Sequence, residues 1–95
     1  MSENQSPSYY CYIVECVDGS LYTGWTTDPD RRIKEHNAGR GALYTKWRRP
    51  VGLTYLEQVG DRSTAQRREH AIKQLTRQKK LALIQDYLEN NPNLD

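Results

Sequence analysis

Residues 9–25 read Tyr9-Tyr10-Cys11-Tyr12-Ile13-Val14-Glu15-Cys16-Val17-Asp18-Gly19-Ser20-Leu21-Tyr22-Thr23-Gly24-Trp25. An aromatic and β-branched run is broken at Asp18-Gly19 and resumes at Leu21, a pattern that predicts two antiparallel strands joined by a tight turn. The register of that hairpin matters because successive side chains alternate between the two faces of a sheet. A two-residue loop of Asp18 and Gly19 would pair Val17 with Ser20 and put Tyr12 and Tyr22 on opposite faces. A three-residue loop with Gly19 at the left-handed bulge position pairs Cys16 with Ser20, Val14 with Tyr22 and Tyr12 with Gly24. The second register is the expected one, and it brings both tyrosine rings to one face. Cys11 and Cys16 then point to opposite faces and stay unpaired, as reduced, buried thiols.

Outward from the hairpin, Asp28-Pro29 predicts a helix start, with the carboxylate as N-cap and proline at the first helical position. This helix is expected to reach Asn37 and to stop at Gly39, with Arg32 and His36 four apart on one face and Ile33 turned toward the core. Gly39 to Pro50 reads as a basic loop. Leu53 to Val59 reads as a third strand ended by Gly60-Asp61. Ser63 with Gln66 has the form of a capping box opening a helix from Thr64 through about Leu75, with Ala65, Ile72 and Leu75 facing inward. Thr76 is the expected cap of a last helix in which Leu81, Ile84 and Leu88 recur at helical spacing. The expected fold is α/β (α+β), a three-stranded antiparallel sheet flanked by three helices. It forms one domain over residues 9–89, with a flexible N-terminus at 1–8 and a flexible tail at 90–95.

At 95 residues the chain holds one modest core, burying about 60–70% of the surface that its unfolded form exposes. No stretch approaches the ~20 apolar residues of a membrane span, and no secretory leader is visible, so a cytoplasmic protein without a membrane partner is expected. Two cysteines without Cys-x-x-Cys spacing and two distant histidines exclude a tetrahedral zinc site. Net charge is only +2, but all 14 Lys and Arg lie between Arg31 and Lys80. Only Glu35, Glu57, Asp61 and Glu69 oppose them there, and the remaining acids fall at the two ends. A basic middle interleaved with aromatics from Tyr44 to Arg49 is the electrostatic footprint of a protein for a polyanion, nucleic acid above all.

Phosphodiester hydrolysis needs a deprotonated nucleophile, neutralised phosphoryl oxygens and a proton or metal for the leaving oxygen. Tyr12, Tyr22, Arg32, His36 and Glu69 supply groups for each role. An arginine suits the phosphate because its guanidinium is a rigid donor fork that stays charged. A tyrosine has an ordinary pKa of about 10, so as a base it would need a nearby cation, for which Arg32 is the expected partner.

The order Cys11-Tyr12-Ile13, then Tyr22-Thr23-Gly24, then Arg32 and His36 in a helix, with Glu69 far downstream, resembles the GIY-YIG nuclease family. The resemblance covers roughly residues 9 to 75 and is similar in extent to the small single-domain members and to the nuclease subunits that cut branched DNA. It implies a metal-dependent endonuclease acting on phosphodiester bonds in DNA, by structure rather than sequence. Tyr12 and Tyr22 would lie around the nucleophile, Arg32 on the scissile phosphate, and Glu69 would hold one Mg²⁺ or Mn²⁺, with His36 orienting Tyr12 or handling a proton. Thr26, Asn37 and Lys46 are expected to line the groove, and Arg48, Arg49 and Lys73 to contact nucleic acid. A targeting protein or a homodimer would supply selectivity. The alternative is a catalytically inactive nucleic-acid-binding module or an adaptor using the same basic face.

Overall fold

The computed structural model describes residues 8–91. The expected flexible segments at 1–7 and 92–95 lie outside them. Strands β1 (Tyr9–Glu15), β2 (Leu21–Thr26) and β3 (Gly52–Val59) form one antiparallel sheet in the order β2-β1-β3. The first hairpin has the bulged register. Gly19 sits at φ 86, its amide donates to the Cys16 carbonyl, and the Cys16 amide donates to Ser20. Tyr12 pairs with Gly24 and Val14 with Tyr22.

Helix α1 (Pro29–Asn37) starts as expected, with Asp28 accepting from the Arg31 amide and Gly39 closing it at φ 84. Two expectations about helices need correction. Residues Leu43–Lys46, read as loop, form a short helix α2, so four helices flank the sheet. Helix α3 (Arg62–Lys73) is capped by Asp61, whose carboxylate accepts from the Thr64 amide, and not by Ser63. An ionised oxygen is the stronger acceptor for the exposed helix-end amides. Helix α4 (Arg77–Asn90) has the expected cap, Thr76. Asn90, expected in the tail, is its last residue.

The sheet separates two cores. On one face Cys11 and Ile13 pack with Ala65, Ile72 and Ile84 under α3 and α4. On the other, Tyr12, Val14, Cys16 and Val51 pack with Ile33 of α1. Cys11 and Cys16 are accordingly free thiols on opposite faces. Of the α4 stripe only Ile84 is buried; Leu83 packs beside it and Tyr87 meets Tyr55, while Leu81 and Leu88 are more than two-fifths exposed. A bidentate Arg68–Glu57 pair, at 2.6 and 2.9 Å, ties α3 to β3.

Candidate active site

Tyr12 and Tyr22 share the sheet face covered by α1, and His36 packs against both. The ring centroids lie 5.8 Å from Tyr12 and 5.4 Å from Tyr22, each pair edge to face. The Tyr12 hydroxyl and His36 Nε2 are 2.8 Å apart, and His36 Nδ1 lies 2.7 Å from Thr45 Oγ1. The tautomer follows from the last member of the chain. Thr45 donates its single hydroxyl proton to the Ala42 carbonyl at 3.1 Å, so towards His36 its oxygen can only accept. Nδ1 therefore carries the imidazole proton, and Nε2 accepts from the Tyr12 hydroxyl.

Two glycines make room for this chain. A Cβ on Gly24, the cross-strand neighbour of Tyr12, would overlap the Tyr12 hydroxyl. A Cβ on Gly41 would overlap the His36 ring and its Cα. Neither glycine has a positive φ, so close approach is what requires them.

Arg32 reaches the same hydroxyl from α1. Its Nε donates to Tyr12 Oη at 3.4 Å, while Nη1 holds Glu35 and Nη2 the Gly41 carbonyl, both at 3.0 Å. The ion pair of Arg32 is with Glu35, and the expected lowering of the Tyr12 pKa by Arg32 is not what results. Burial pushes the phenol up to about 12, outweighing the guanidinium, and the charge of Glu69 adds to the rise. Burial also lowers the His36 pKa, helped by the positive charge of Arg32 and opposed by Glu35. At neutral pH Tyr12 is thus a protonated donor and His36 a neutral acceptor.

Glu69 and Lys73 approach from α3. Their ion pair spans 3.0 Å, and the Lys73 ammonium lies 6.0 Å from the centroid of the Tyr22 ring. Among the described residues no group of three or more His, Cys, Asp and Glu could hold a metal ion. A lone carboxylate, 21% exposed and bound, among the described residues, only by Lys73, suits an ion such as Mg²⁺ that keeps most of its waters and takes one protein oxygen.

The expected groove residues divide. Thr26 is buried, and its hydroxyl accepts from the Asp28 amide at the start of α1. Asn37 clamps the Val51 backbone with both ends of its amide, so these two hold the frame. Arg48 lies over the Tyr44 ring at 3.8 Å and pairs with Asp18 at the hairpin turn. Tyr44 in turn stacks on Tyr22 at 5.9 Å. Arg49 bonds the Lys46 and Asn37 carbonyls, and Lys46 and Arg49 remain on the surface. Sequence reading gave Thr45 and Gly41 no role in the site and placed Tyr44 only among the aromatics of the basic footprint. The signal for them was Gly41 and, three residues on, a Tyr-Thr pair in a basic segment following His36.

This geometry is that of a nuclease-type domain, and residues 8–82 match the family model of the GIY-YIG catalytic domain. The chain belongs to that family. It is 56% identical over 78 residues to a UPF0213 protein of Haloquadratum walsbyi, covering 82% of this chain and 88% of the relative. A UPF0213 protein of Staphylococcus haemolyticus is 55% identical over 78 residues, covering 82% and 95%. Two solution NMR structures are similar. The UPF0213 protein of Bacillus halodurans matches at 47% identity and TM-score 0.53, over 82% of this chain and 83% of that one. A protein of E. faecalis matches at 45% identity and TM-score 0.58, over 88% and 91%.

Proposed function

We propose that the chain is a metal-dependent endonuclease that hydrolyses phosphodiester bonds in DNA, recognising backbone and shape. The observation that carries this reading is the hydrogen-bonded line from Tyr12 through His36 to Thr45, with Arg32 on the same phenol oxygen. A water set against Tyr12 Oη gives it a proton as Tyr12 passes its own to His36 Nε2. The phenol never has to persist as a phenolate, which its raised pKa would oppose, and the imidazolium keeps its Nδ1 proton on Thr45. The hydroxide forms the new bond to phosphorus, the bond to the leaving oxygen breaks, and that oxygen takes a proton from solvent. Arg32 supplies charge to the phosphoryl oxygens, for which one preorganised donor is worth roughly 3–4 kcal/mol. The Tyr22 hydroxyl, without a hydrogen bond to another described residue, is available to the same oxygens. Glu69 would hold Mg²⁺ or Mn²⁺, which supplies further neutralisation of phosphate charge when bound.

The closure of the site supports a second reading, a binding module or adaptor without turnover. Tyr12 is 1% exposed, and the charges of Arg32 and Glu69 are both paired internally. Labelled single-stranded, duplex, flapped and four-way DNA, with RNA alongside, separates the two in Mg²⁺ or Mn²⁺. Cleavage by the parent that disappears in Glu69→Ala is the expected result. Equal cleavage by both proteins, or salt-sensitive binding with no cleavage by either, overturns the nuclease reading.

A further inference from the structure

The chemistry above leaves one conspicuous side chain unused. Trp47 ends α2 with 74% of its surface exposed. It stands on the wall of a cleft of about 430 Å³ whose other residues are Asn37, Lys46, Arg49 and Pro50. The floor of this cleft is fixed, because Asn37 is clamped to Val51 and Arg49 Nε and Nη1 are bonded to backbone carbonyls. Arg49 Nη2 has no hydrogen bond to another described residue, and the Lys46 ammonium, 5.1 Å from the Trp47 ring centroid, forms no ion pair with one. Lys46 and the Gly41 carbonyl link the cleft to Arg32. Lys46 also borders the neighbouring hollow, shared with Arg40 and Gly41. The Gly41 carbonyl holds Arg32 Nη2, and Arg31 and Arg32 line the hollow beyond.

We infer that Trp47 is a stacking platform for an unpaired nucleobase, so that this face takes single-stranded or branched DNA laid from Arg32 past Lys46 to Trp47. A largely exposed indole with the Lys46 ammonium over its ring and Arg49 in the same cleft offers a π-face and phosphate partners at once, the pairing by which single strands are held. A blunt duplex turns its base faces onto one another and leaves only those of its two terminal pairs, so it offers far fewer than a single strand. This inference deepens the nuclease reading and rests on its premise that the basic face receives nucleic acid.

The test is binding in the presence of a chelator, where nothing is cut. Anisotropy of a labelled oligothymidylate and of a blunt duplex is compared for the parent, Trp47→Ala and Trp47→Phe. Trp47→Ala is expected to bind the oligothymidylate about 5- to 150-fold more weakly, with Trp47→Phe keeping most of the affinity and duplex binding unchanged in both. Unchanged oligothymidylate binding by Trp47→Ala, or equal loss on both DNAs, overturns the inference. So does a failure of the parent to bind either DNA, the result expected if the indole docks a protein. A parent that binds through Trp47 but cuts nothing in Mg²⁺ retires the nuclease and keeps the platform. One that cuts while Trp47→Ala binds unchanged does the reverse.

Discussion

The Tyr12 hydroxyl and His36 Nε2 meet at 2.8 Å, and neither residue is more than 1% exposed. A tyrosine and a histidine so enclosed form one unit, and its protonation state is set by the fold.

The first consequence is a pH dependence of stability. The His36 pKa is lowered in the folded chain, so just below the ordinary value of about 6.5 the unfolded chain takes up a proton that the folded chain refuses. Stability is therefore level with respect to His36 above that value and is lost as pH falls from it toward the folded pKa. Urea denaturation between about pH 7.5 and 5.5 should show this loss, and His36→Asn should remove that part of the slope. Equal pH dependence in the two proteins would mean that His36 titrates alike folded and unfolded.

Thr45 is expected to matter as much as its shape-alike is expected to fail. Thr45→Val keeps the volume but leaves the buried Nδ1–H of His36 without an acceptor, at a cost of about 1–3 kcal/mol. Cleavage should fall with it, since Nε2 is then no longer held as the acceptor. Thr45→Ser should restore both. Full activity in Thr45→Val would separate the threonine from the relay.

Gly41→Ala should be destabilising by about 1–3 kcal/mol, the usual range for forcing extra carbon into a packed site. The new methyl meets the His36 ring and backbone. By contrast Gly52 and Gly60 have nothing within reach of an added Cβ, so Gly60→Ala is the control and should leave the thermal midpoint nearly unchanged. Equal midpoints for Gly41→Ala and the parent would show that the loop yields freely.

Thr23 faces away from Tyr22, is 3% exposed, and its hydroxyl has no partner among the described residues. An unsatisfied buried hydroxyl costs roughly 1–3 kcal/mol. Thr23→Val should accordingly raise the denaturation midpoint without altering cleavage. A lowered midpoint would show that the hydroxyl is satisfied in solution.

The features that could be read from the sequence are those written in local chemistry. Gly19 chose the hairpin register, and Asp28-Pro29 fixed the start of α1, so the joint placement of Tyr12, Tyr22, Arg32 and His36 on one side was foreseeable. The cap of α3 was not. Asp61 and Ser63 are both able to cap, and the choice between them rests on acceptor strength. Helix α2 has no capping side chain at Ala42, and Thr45 instead bonds back to that residue's carbonyl. Nothing in spacing alone marks such a turn. The same holds for the protonation of Tyr12, which depends on how deeply the ring is buried. The clamp of Asn37 on the Val51 backbone, joining positions 14 apart, is likewise unmarked by spacing.

The strand order carries a final consequence. In β2-β1-β3 only β1 is hydrogen-bonded along both edges, so its amide protons should be the slowest of the sheet to exchange with deuterated solvent. Tyr12 belongs to that most persistent strand, while Thr45, which holds its partner His36, sits on the four-residue α2. Fraying of α2 would free His36 Nδ1 from Thr45 while the strand register of Tyr12 stays in place, an excursion far smaller than unfolding.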